Sequence, residues 1–256
     1  MIKTSLIQKI TLSGLFLALT IIFTRFLSIQ NIPVIPFVRI SLGPALIILT
    51  SLLLGPICGA VVGAGSDILG IILVPNQLGY SINPLFTLVY GLLGVVPWLV
   101  YFLINRVKQP RIALIIFISV MLLLLVFISV FLGIYSDITL FGNTYHFEIW
   151  HKILIISISF VSTVGTVLAI FFYDRHLKKT KNDYDGQIYQ IAFVCLISEL
   201  LVMLILNSVV KALFFEIDFI FIFFAQAVVF FIDVTLNTIV VTLLMLLAKK
   251  YVRSGL

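Results

Sequence analysis

Three carboxylates, Asp67, Glu199 and Asp233, lie inside long apolar runs of a 256-residue chain in which only 10% of residues are charged. An acid turned toward lipid costs about 2.5–3.5 kcal/mol at a helix centre, so each must face protein or a water-filled cavity. Two chemistries suit such acids: hydrogen bonding between helices, or the handling of protons or cations in a carrier. Arg25 and Arg39 flank the run 27–38, whose Pro33 and Pro36 restrict its shape. Lys211 follows Asn207 by one helical turn and shares its face. An arginine can hold a carboxylate through two parallel hydrogen bonds. Arg25, Arg39 and Lys211 are therefore candidate anion-binding residues, with snorkelling to lipid headgroups as the competing reading. For Lys152 snorkelling is the preferred reading.

Other chemistry is missing. The sequence has no G-x-x-x-x-G-K-[ST] loop for ATP, no H-E-x-x-H pair and no G-x-S-x-G elbow. His146, His151 and His176 lack metal-ligand spacing. Cys58 and Cys195 sit within apolar runs and read as small core residues. No enzyme, cofactor or metal is expected. Gly59 and Gly63 form a G-x-x-x-G pattern, and Gly65, Gly91 and Gly94 have similar apolar contexts, which points to close helix packing rather than phosphate binding.

These residues must be positioned by membrane helices. The chain is 62% hydrophobic, whereas a soluble domain carries about 45–50% apolar and about 25% charged residues. That excludes a soluble globular protein, a disordered chain and a nucleic-acid-binding module. A crossing needs about 20 mostly apolar residues, and eight segments can be drawn: 7–28, 40–54, 56–74, 83–104, 112–134, 148–173, 187–213 and 219–248. An unclosed sheet cannot satisfy its backbone in lipid, so the segments are read as helices. Gly55–Pro56 should break the second from the third and make a tight helical hairpin. The first segment reads as a retained helix, because no A-x-A-like cleavage site follows Lys3 and Lys9. The expected architecture is an all-α, polytopic helix bundle in one membrane domain over 1–256. With the N-terminus cytoplasmic, twelve of the sixteen basic residues fall on the inner side and none in the loop 135–147. The positive-inside rule therefore places both termini in the cytoplasm.

Residues 24–98 carry a more specific order. Thr24-Arg25-Phe26-Leu27-Ser28-Ile29 is followed by Val38-Arg39-Ile40-Ser41 and Leu54-Gly55-Pro56-Ile57-Cys58-Gly59-Ala60. Then come Gly65-Ser66-Asp67-Ile68-Leu69-Gly70, Val74-Pro75 and Leu85-Phe86-Thr87-Leu88 before Tyr90-Gly91. This resembles the substrate-binding S component of an energy-coupling factor (ECF) vitamin transporter, most of all its folate-type branch. The likeness is good over about the first 105 residues and looser over 187–248, where it includes Glu199 and Asn207. The resemblance implies a subunit of a prokaryotic plasma membrane that captures folate or a related pterin from outside. It also implies a separate coupling membrane subunit and two ATPase subunits as partners. Family members resemble six-helix bundles, so 108–186 reads as a two-helix insertion. Small residues four apart on the first helix contact the coupling subunit in such proteins, and Gly14 and Ala18 supply that pattern. A folate-like ligand would offer carboxylates to Arg25, Arg39 or Lys211, with Asn207 beside the last, and a ring to stack on Phe37, Phe86 or Tyr90. The competing reading of the whole chain is an autonomous ion-coupled transporter that uses Asp67, Glu199 and Asp233.

Overall fold

The computed structural model describes residues 5–32, 35–74, 83–106, 110–140, 143–179 and 187–253. Its elements are α1 (Leu6–Ile21), which continues as a π-helical turn (Ile22–Phe26), then β1 (Ile29–Ile32), β2 (Ile35–Ile40), α2 (Gly43–Leu54), α3 (Pro56–Leu73) and α4 (Pro84–Ile104). There follow α5 (Pro110–Ile134), β3 (Asp137–Leu140), β4 (Asn143–His146), α6 (Ile149–Lys179), α7 (Gln187–Ser198), a second π segment (Glu199–Leu206), α8 (Asn207–Phe215) and α9 (Phe219–Arg253). Seven of the described helices are long and apolar enough to cross a membrane, α7 through α8 counting as one. The chain is a polytopic helical bundle.

The apolar segment read at 40–54 is present as a shorter helix than the sequence suggested. The helix there is Gly43–Leu54, 12 residues, which at 1.5 Å per residue is about 18 Å against a hydrocarbon core of about 30 Å. The antiparallel hairpin β1–β2, with Ile29 opposite Ile40 and Gln30 opposite Arg39, precedes it and packs on α9. All twelve residues of α2 are buried, so it forms the centre of the bundle rather than a lipid-facing span.

The expected break holds at Gly55, whose φ of 104° belongs to glycine, while its N–H still bonds the Ser51 carbonyl. Pro56 then opens α3 at a position where its missing N–H costs nothing. The glycine pattern serves packing, as read. A Cβ on Gly59 would lie 2.2 Å from the Gly94 carbonyl oxygen, and one on Gly63 would lie 2.0 Å from that of Tyr90. No side chain fits between α3 and α4 there. Cys58 and Cys195 are free, and Cys195 is fully buried.

α1 packs on α2 and α3, whereas α5 and α6 pack on α7 and α9. Aromatic rings fill the β3–β4 end of that second group: Phe131 stacks on Phe224 at 4.1 Å between centroids, with Tyr135, Phe147 and Phe221 around them. Lys152 donates to the Leu132 carbonyl at 2.7 Å and to the Ser136 hydroxyl at 3.1 Å. It caps the C-terminal end of α5, where a cation meets unpaired carbonyls.

Candidate functional site: two buried charge clusters beside the outer hairpin

Two groups of charged side chains flank β1–β2. The first is anchored on the π turn that ends the first span. Arg25 places Nη2 3.7 Å from Asp67 Oδ1 and 3.5 Å from the Asp67 carbonyl oxygen. Thr87 on α4 donates to Asp67 Oδ2 at 2.9 Å. The two charged side chains are 4% and 6% exposed. Gly70, one turn beyond Asp67, makes room for the guanidinium, since a Cβ there would come within 2.6 Å of Arg25 Nε. The cluster ties the start of the outer hairpin to α3 and α4. A buried ion pair of this kind is weak evidence for net stability, but removing one partner leaves an uncompensated charge.

The second cluster gathers residues far apart in sequence. Arg39 on β2 donates from Nη2 to the Tyr90 hydroxyl at 2.6 Å. Asp233 on α9 accepts from the backbone N–H of Ser41, just past β2, and lies within electrostatic reach of Arg39 and of Lys211 on α8. Asn207, one turn before Lys211, is buried with it. One turn below Asp233, Asn237 donates from Nδ2 to Glu199 Oε1 at 2.6 Å. Glu199 begins the π segment Glu199–Leu206. Widened turns of this type concentrate at functional sites. Together the structure supplies cations and hydrogen-bonding groups from five elements, the equipment for holding a polar or anionic molecule beside β1–β2.

Phe86 is buried and meets Phe214 edge-on at 5.6 Å, so its ring is engaged in the α4–α8 contact. Tyr90 is half-buried and its hydroxyl serves Arg39. Of Phe37 only the backbone, in β2, is described, and its side chain lies outside the described residues. Gly14 and Ala18 are exposed on α1, and a Cβ on Gly14 would meet nothing within 4 Å. Sequence reasoning missed Asn237, and quoted Thr87 and Gly70 within its motifs without giving either a role. The spacing of four between Asp233 and Asn237, and of three between Asp67 and Gly70, were the available signals, because those intervals share a helix face.

The chain matches the family described as ECF-type riboflavin transporter, S component, over residues 4–179. It is 36% identical over 98 residues to a protein of Clostridium novyi (strain NT) named Folate transporter FolT, a match that takes in 38% of this chain and 52% of that one. The chain thus spans about half the length of that curated relative. No solved structure matches it.

Proposed function

The chain belongs to the ECF-type riboflavin transporter S-component family, and from that premise we propose that it captures a vitamin outside the cell, folate or a related pterin, and passes it to an ATP-driven coupling complex. The observation that carries this reading is the cluster of Arg39, Tyr90, Lys211 and Asp233 beside the hairpin β1–β2. Arg39 and Lys211 hold the ligand's carboxylates, with Asn207 beside them. Arg25 is a positioning residue, committed to Asp67. Tyr90 presents the aromatic face against which the ring stacks, with Phe37 and Phe86 as further ring neighbours. The folate-transporter relative supports the choice of a pterin.

Riboflavin is the second reading, favoured by the description of the family over 4–179. Charge separates the two. Arg39 and Lys211 balance Asp233 and Glu199 in number, and Arg25 balances Asp67, so a neutral flavin would leave the charge of the site unchanged, whereas folate adds negative charge. The deciding experiment is native mass spectrometry of the purified chain followed by titration with both vitamins. A co-purifying pterin and tight folate binding support the first reading, and a flavin in its place overturns it.

Transport needs partners, because the sequence has no P-loop of its own. The exposed Gly14–Ala18 face of α1 is the contact for the coupling subunit, with two ATPase subunits beyond it. The segment 108–186 is an added two-helix unit. Uptake by the chain alone in proteoliposomes, driven only by an ion gradient, would instead identify an autonomous carrier.

A further inference from the structure

Glu199 is 1% exposed, and no basic side chain pairs with it among the described residues. Its hydrogen-bond partner is Asn237, and the charge that bears on it is another acid, Asp233. A carboxyl buried in this way needs either a compensating positive charge or a proton. Two further oxygens there lack any hydrogen-bond partner: Asp233 Oδ1 and Asn237 Oδ1, on residues that are 8% and 0% exposed. Asp233 and Asn237 stand one turn apart on the same face of α9, the face that meets Glu199 through Asn237. Buried acceptors without partners are rare and call for an explanation.

We infer that Glu199, Asp233 and Asn237 bind a sodium ion in the interior of the bundle, below the Arg39–Lys211 cluster. A hard cation takes carboxylate and amide oxygens together. The π segment that starts at Glu199 belongs to the class of widened turns found at functional sites. With sodium bound, the central charges, Arg39 and Lys211 against Asp233 and Glu199, change from balanced to a surplus of one positive charge. That surplus would favour an anionic ligand above it. The sodium site itself does not depend on the vitamin reading, and its test uses no vitamin.

The test is thermal unfolding of the purified full chain in sodium, potassium and choline chloride at matched ionic strength. Ligand that binds only the folded state raises the midpoint as its concentration passes Kd. The expected result is a saturable rise in sodium that choline does not reproduce and that Glu199→Gln abolishes. Equal midpoints in the three salts overturn the proposal and leave a proton on Glu199. So does a sodium effect that persists in Glu199→Gln. Should that variant fail to fold, the cation selectivity of the unmodified chain decides the question by itself.

Discussion

At the scale of single residues, Arg25, before β1, and Arg39, on β2, occupy different environments and should fail in different ways. Arg25 is enclosed with Asp67, and Gly70 leaves space for it. Arg25→Ala strands a buried carboxylate, which costs about 3–5 kcal/mol. We expect a large fall in the thermal midpoint, partly restored when Asp67→Asn removes the stranded charge. Arg39 is half-buried, donates to the Tyr90 hydroxyl and has Asp233 within electrostatic reach. Its loss should cost the fold less than that of the more deeply buried Arg25 and act on binding. A hydrogen bond to a charged group contributes about 1.5–3 kcal/mol, so Arg39→Ala should weaken a carboxylated ligand by roughly 10–150-fold. An analogue without carboxylates should be little affected. Calorimetry on monodisperse protein checks both arms, and equal losses for the two ligands would remove Arg39 from the carboxylate site.

At the scale of elements, glycines of the same type in apolar helices play opposite parts. Gly59 lies where α3 touches α4 backbone to backbone, so Gly59→Leu should abolish folded protein, measured as loss of the monodisperse species on size exclusion. Gly14 faces open space on α1, so Gly14→Trp should leave folding and ligand binding intact. If the α1 face docks the coupling subunit, the same change should stop uptake in cells, because small residues allow helices to approach closely. Lost binding by the isolated Gly14→Trp chain would assign that face to the pocket instead. Much of this was legible in the sequence: the G-x-x-x-G spacing and the Gly55–Pro56 break depend only on local geometry. The shortness of α2 was not, because 40–54 is apolar throughout and composition does not distinguish a strand at its start from another helical turn. The π segments that carry Arg25 and Glu199 were also invisible, since a shift from i→i−4 to i→i−5 bonding leaves no compositional trace. The partners Arg25–Asp67 and Glu199–Asn237 lie 42 and 38 residues apart. Sequence could mark each as costly in lipid, yet only the packing of α1 on α3 and of the π segment on α9 decides who meets whom.

At the scale of the whole molecule, α1 packs on α2 and α3, while α5 and α6 pack on α7 and α9. α5 and α6 therefore leave the Gly14–Ala18 face of α1 open. The orientation itself rests on charge: twelve of sixteen basic residues fall on one side if the N-terminus is cytoplasmic, and short loops rich in Lys and Arg stay inside. The β3–β4 hairpin, at the opposite ends of α5 and α6 from that charge, should then lie outside. Ser136 is exposed beside it, whereas Lys179 closes the far end of α6 about 45 Å along that helix at 1.5 Å per residue. In a background where Cys58 and Cys195 are both replaced by Ala, Ser136→Cys should react with a membrane-impermeant thiol reagent added to intact cells. Lys179→Cys should react only after the membrane is opened. The reverse pattern would turn the molecule over, placing β1–β2 and the Arg39–Lys211 cluster on the cytoplasmic side, where they could not collect a vitamin from outside.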